Sequence, residues 1–101
     1  EEKLIGIGQL FIDDEKRVAY VSDKPVELTY KEYELLKYLA LNRGIVLTRD
    51  NIMDRIWSTD YEGESRTLDV HIKTLRHKLG IAGNYIKTVR NVGYFMDDEA
   101  H

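Results

Sequence analysis

Between Arg66 and Leu79 the sequence carries Arg66, Lys73, Arg76, His77 and Lys78 on one stretch in which Asp69 is the single acid. Guanidinium and ammonium groups gathered in this way neutralise and hydrogen-bond a polyanion. At about 3.6 residues per turn, Leu68, Ile72, Leu75 and Leu79 fall on one stripe and predict the core-facing side of an amphipathic helix. The opposite side carries Arg66, Val70, Lys73 and His77, with Thr74 on its shoulder. A valine among cations is a poor choice for a face that meets only water. In a DNA major groove its methyls meet a thymine methyl, while Lys73 and Thr74 reach base edges or phosphates. Asp69 lies beside Arg76 on the wheel and four residues before Lys73, so it is expected to hold and orient these cations rather than to do acid chemistry.

Other chemistries are harder to assemble. His71 and His77 lie roughly 120° apart on a helix, which is wrong for chelating one metal. The chain has no cysteine, so thiolate zinc sites, iron–sulfur clusters, disulfides and cysteine nucleophiles are excluded. No serine sits in a nucleophile-elbow context and no glycine-rich phosphate loop occurs, so neither catalysis nor a metal or cofactor is expected. The acids Asp13, Asp14 and Glu15 read as a solvated turn, because no other ligand-type residues converge on them.

The formal net charge of −3 over 101 residues, taken alone, speaks mildly against a nucleic-acid partner. The distribution differs. Residues 66–96 hold six bases and one acid, while the other seventy residues hold nine bases and seventeen acids. Two readings produce that pattern, a polyanion-binding face on an acidic body and a solvated helix face. Apolar residues at 43% and charged residues at 33% describe one globular domain. No apolar run approaches the roughly 20 residues that span a bilayer, and no leader-like segment opens the chain. Beginning with Glu1 rather than methionine, the chain is expected to be a piece of a longer protein.

The elements that would position these side chains follow from periodicity. Residues 9–13, 17–21 and 25–28 alternate and are rich in β-branched and aromatic types, predicting a short antiparallel meander with 4–5 as a further edge. Turns are expected at 13–16 and 22–25. At Thr29 the period lengthens and Thr29-Tyr30-Lys31-Glu32 forms a capping box, so a helix begins and runs to the stop at Asn42-Arg43-Gly44. After an extended run at 45–47, Thr48 or Asp50 caps a second helix through Ile52, Met53, Ile56 and Trp57. Ser65 is the expected cap of the third helix and Gly80 its stop. The tail 85–96 reads as a hairpin in whose turn Asn91 and Gly93 are best suited to positive φ.

The run SRTLDVHIKTLRHKLG at 65–80, followed by YIKTVRNVGY at 85–94, resembles the OmpR/PhoB-type DNA-binding domain of bacterial response regulators. LTYKEYELLKYLALNRGIVLTRDNIMDRIW at 28–57 fits the same family's first two helices. The resemblance implies an α+β winged helix-turn-helix spanning 1–101 as one domain. Its parts would be an N-terminal four-stranded antiparallel sheet at about 4–28, three helices at about 30–80 and a C-terminal β-hairpin wing at about 85–97. The third helix would lie in the major groove and the wing in the minor groove. By the same resemblance Arg66, Thr67 and His71 hold phosphates, and Trp57 is a backbone-contacting aromatic. Val70, Lys73 and Thr74 read bases, and Thr88, Arg90 and Tyr94 make the wing's phosphate and minor-groove contacts. This sequence departs from the family in having Asn91 where glycine is usual, Phe95 where a basic residue is usual, and Thr74 where some members place arginine.

The resemblance further implies a cytoplasmic transcription factor without catalysis, cofactor or membrane, whose phosphate-accepting receiver domain lies N-terminal to this region. Phosphorylation would favour head-to-tail pairing of two effector domains on a direct-repeat site in double-stranded DNA. The loop 58–65 matches one that touches RNA polymerase in activators, and Asp60, Glu62 and Glu64 suit a basic partner; an ordinary solvated loop is an equal reading. Arg90 is expected near the wing tip, inserted in a minor groove or paired with Asp97 or Asp98. The rival reading of the whole is a winged-helix protein-interaction module whose basic face meets an acidic partner.

Overall fold

In the computed structural model, which describes residues 4–57 and 66–97 and leaves the side chain of Arg66 undescribed, alternation of buried and exposed residues builds the first layer. Strands β1 (Leu4–Ile7), β2 (Leu10–Asp13), β3 (Val18–Val21) and β4 (Lys24–Val26) pair antiparallel in chain order. Ile5, Ile7, Leu10, Ile12 and Ala19 turn inward, whereas Leu4 and Phe11 are exposed. Ser22 and Asp23 both take positive φ, 52° and 70°, which is the backbone of a tight two-residue hairpin. Lys24 and Pro25 therefore belong to β4 rather than to the turn expected at 22–25, and proline is tolerated there because β4 is an edge strand. The acids at the other turn have structural work. Asp13 accepts from the backbone N–H groups of Glu15 and Lys16, and Asp14 accepts from the Tyr33 hydroxyl at 2.7 Å and pairs with Lys37 at 3.0 Å.

Helix α1 (Tyr30–Leu41) starts on the expected capping box: the Thr29 hydroxyl accepts from the Glu32 N–H, and the Glu32 carboxylate accepts from the Thr29 N–H. Each half of such a cap contributes about 1 kcal/mol. Glu32 is almost fully buried and also receives the Lys78 ammonium at 2.7 Å, joining the start of this helix to the end of α3 (Arg66–Leu79). Burial alone would push the Glu32 carboxyl up, but Lys78 and the Thr29 N–H together outweigh it and hold the group below the ordinary carboxylate range. Between the two, β5 (Leu47–Thr48) leads into α2 (Arg49–Trp57). The Thr48 hydroxyl accepts from the Asn51 N–H, so Thr48 and not Asp50 supplies the cap. The loop 58–65, with Asp60, Glu62, Glu64 and the expected Ser65 cap, lies outside the described residues.

The inward stripe of α3 is Leu68, Ile72, Leu75 and Leu79, which pack with Leu35, Leu36, Leu39 and Ile52 in one core shared with the sheet. Gly80, at φ +60°, ends α3. A 3-10 helix over Gly80–Tyr85 follows, an element the sequence pattern does not announce. It lies so close to α3 that a Cβ on Gly83 would stand 2.3 Å from the Arg76 carbonyl oxygen. The chain then forms the hairpin of β6 (Ile86–Val89) and β7 (Gly93–Met96), and β5 pairs with the other side of β7. Asn91 takes the positive φ of the hairpin turn, 66°. Gly93 does not, contrary to expectation; its glycine is required instead because a Cβ would meet the Leu47 carbonyl oxygen at 1.9 Å. Among the described residues no helix is long and apolar enough to cross a membrane.

Candidate nucleic-acid interface

Because the Leu68, Ile72, Leu75 and Leu79 side of α3 is consumed by the core, its opposite side is presented outward. Val70 is 55% exposed there, Lys73 and His77 are exposed, and Thr74 is half-buried at the edge. The three residues expected to read bases, Val70, Lys73 and Thr74, thus share one face of one helix.

At the N-terminal end of that face, the structure gathers Thr67, His71 and Trp57. The His71 ring stands edge-on to the Trp57 indole with centroids 4.9 Å apart, and its Nδ1 lies 2.9 Å from the Thr67 carbonyl oxygen. Donation from Nδ1 to that carbonyl fixes the ring orientation and turns Nε2 away from the helix backbone. Lys31 completes the corner, donating to the Ile56 carbonyl at 2.7 Å with its ammonium 5.6 Å from the centre of the Trp57 ring. The indole is half-buried against the core.

The wing is fastened to the flank of α3 between its buried and outward sides. Arg76 donates from Nε and Nη2 to the Ile86 carbonyl and from Nη2 to the Thr88 hydroxyl at 2.7 Å. Two turns earlier, Asp69 accepts a forked pair from Arg49, 2.7 and 3.0 Å, and a third bond from the Tyr94 hydroxyl. This corrects the expectation that Asp69 orients Lys73 and Arg76. Its role is structural as read, but its partners come from α2 and β7, because a fork aimed by tertiary packing satisfies two carboxylate oxygens where a flexible helix neighbour satisfies one. The Arg49 fork, aided by Tyr94, holds the Asp69 carboxyl below its ordinary range. Burial, then Asp69, pushes the Tyr94 phenol up.

Of the wing residues, Thr88 and Arg90 are exposed, Arg90 beside the turn at Asn91. Asp98, one of the two acids expected as a partner for Arg90, lies outside the described residues. Tyr94 differs from its expected place: it is only 6% exposed, and its hydroxyl is engaged with Asp69 beneath the wing. Phe95 is half-buried and faces Lys87 in register across the hairpin. Lys87 is exposed and, with Arg76 and Thr88, lines an open polar hollow beside β6, so the wing keeps a cation despite Phe95. Sequence reasoning passed over Arg49 and the anchoring role of Arg76. No local pattern marks either one, since their partners lie twenty and ten to twelve residues away.

Residues 23–96 match the model of the family described as "Transcriptional regulatory protein, C terminal". The sensory transduction protein RegX3 of Mycolicibacterium smegmatis is 39% identical over 100 residues, covering 96% of this chain and 44% of its own length. The chain therefore spans less than half of that relative. Among solved structures, the response regulator DrrB of Thermotoga maritima, an OmpR/PhoB homologue, superposes with a TM-score of 0.87 at 32% identity, covering 96% of this chain and 45% of its own. The DNA-binding domain of Klebsiella pneumoniae RstA, solved in complex with the RstA box, superposes with a TM-score of 0.84 at 34% identity, covering 96% of this chain and 99% of its own.

Proposed function

The chain belongs to the transcriptional regulatory protein C-terminal family, the OmpR/PhoB-type DNA-binding domain of response regulators, and from that premise we propose how its residues divide the work of reading a duplex. Helix α3 enters the major groove with Val70, Lys73 and Thr74 at base edges. Arg66, Thr67, His71 and Trp57 hold the flanking phosphates and set the register, while Thr88 and Arg90 bring the wing to the neighbouring backbone and minor groove. Tyr94 serves the wing from below. The observation that carries this reading is Val70, 55% exposed beside Lys73 on a helix whose opposite stripe is no more than 1% exposed. An apolar side chain held out among cations suits a surface that offers both methyl groups and phosphates.

In the same proposal residues 1–101 act as one binding unit without catalysis of their own. In the full-length cytoplasmic protein, a receiver domain precedes the unit and its phosphorylation promotes head-to-tail pairing on direct repeats. The 58–65 loop is then available to RNA polymerase. Support for the longer protein comes from the chain's spanning 44% of the RegX3 relative.

Fluorescence anisotropy of a labelled random duplex at two salt concentrations tests the reading. Affinity that falls steeply with salt is the expected result, since each phosphate contact releases counterions. Absence of binding at low salt would favour the acidic-protein partner instead.

A further inference from the structure

Arg49, Asp69 and Tyr94 stand on three different elements, α2, α3 and β7, and meet at one carboxylate. The same Arg49 uses its backbone N–H to donate to the Val92 carbonyl in the wing turn at 3.1 Å. Directly below, Leu47 pairs with Tyr94 and Thr48 with Gly93. The wing is thus tied in its turn through the main chain of Arg49 and, two residues further along β7 at Tyr94, through the Asp69 carboxylate that the side chain of the same arginine grips.

We propose that the Arg49–Asp69–Tyr94 network is a positioning device that locks the wing to α3, so that the two elements meet DNA as one preformed surface, and that Arg49 and Tyr94 control affinity through that geometry. This rests on the DNA-binding reading above. A hairpin with a two-residue third strand has little independent stability, and a wing that must be ordered on binding loses affinity to that ordering. The network removes the loss beforehand. The side chains of Arg49 and Asp69 are 27% and 49% exposed, so their pairing adds little to global stability and its value lies in fixing an orientation. The fork also matters chemically. A lysine at position 49 would keep the charge but lose the two-pronged grip on Asp69.

Two measurements on the 101-residue chain test this with Tyr94→Phe, which keeps the buried ring and removes only the hydroxyl, and with Arg49→Lys. In the free protein, amide hydrogen exchange of Val92, Gly93, Tyr94 and Phe95 should quicken by about tenfold, the scale of losing a hydrogen bond to a charged group. Amides in the cores of α1 and α3 should stay as they were. On a bound duplex, Tyr94→Phe should weaken affinity by about three- to tenfold in the native background and by less than about twofold when Arg90→Ala has already removed the wing's contact, the non-additivity expected of coupled groups. Exchange that is unchanged, or raised equally throughout, would overturn the network. So would an equal loss of affinity in both backgrounds. If the native chain binds no duplex at all, the functional reading falls, and the exchange comparison still decides whether the wing is locked.

Discussion

Replacing Gly93 with alanine isolates the close approach that seats the wing. The residue is not in the left-handed region, so its own torsions do not resist a methyl group. The obstacle is the neighbour: a Cβ would lie 1.9 Å from the Leu47 carbonyl oxygen and 2.9 Å from both the Leu47 carbonyl carbon and the Thr48 Cα. These are backbone atoms, and no rotamer change relieves them. Reaching ordinary van der Waals separation requires β5 and β7 to part by about 1.5 Å. That separation breaks the pairing of Leu47 with Tyr94 and Thr48 with Gly93 and pulls the Arg49 N–H from the Val92 carbonyl. Losing two or three hydrogen bonds at about 1 kcal/mol each costs about 2–3 kcal/mol, which lowers the Tm of a domain this size by roughly 10–20 °C. Two further glycines calibrate the result. Gly80 has φ +60° with no heavy atom within 4 Å of its Cβ position, so Gly80→Ala should cost only the left-handed strain, about 1 kcal/mol. Gly6 has φ outside that region and Phe11 Cδ1 no nearer than 4.0 Å, so Gly6→Ala should be close to neutral. Thermal unfolding followed by circular dichroism should therefore rank the losses Gly6, Gly80, Gly93 in ascending order. A Gly93→Ala protein that melts as high as Gly80→Ala would show that β5 yields freely and that the close approach does not hold the wing.

Lys73→Ala and Thr74→Ala should alter which sequences are selected from a random duplex pool, each by about 1–3 kcal/mol of discrimination; profiles identical to the native one would remove these residues from base reading. Arg90→Ala should leave the Tm nearly unchanged, weaken binding most for sites with A·T flanks, and reduce the salt slope by about one, whereas equal loss with G·C flanks would make it a phosphate clamp. Glu32 is held below its ordinary range, so its contribution to stability is present above about pH 4.5 and is lost as pH falls through the lower folded value. Glu32→Gln should thus be less stable at neutral pH and lose less on acidification, and parallel stability curves would contradict the assigned role. Two half-sites in direct repeat should be filled more cooperatively than the same half-sites inverted at matched spacing, as an electrophoretic titration can show; equal occupancy would argue against head-to-tail pairing.

What the sequence determined alone is what depends on neighbours a few residues away. The Thr29–Glu32 box, the Leu68-Ile72-Leu75-Leu79 stripe, the stop at Gly80 and the outward position of Val70 all follow from helical periodicity and capping, whose partners lie within four residues. Alternation likewise announced the strands of the first sheet, with Pro25 in the last of them, although turn chemistry placed Lys24 in the turn, and its place in β4 depended on how tightly Ser22 and Asp23 turn. Tertiary structure alone decided which cation Asp69 would hold, why Gly93 must be glycine, that Tyr94 lies beneath the wing, and that a 3-10 helix packs on Arg76. Each of these depends on a contact between different elements, across seven to about fifty residues. Such contacts are set when the core closes and brings α2, α3 and the wing together, and periodicity within one element carries no information about a carboxylate's partner on another.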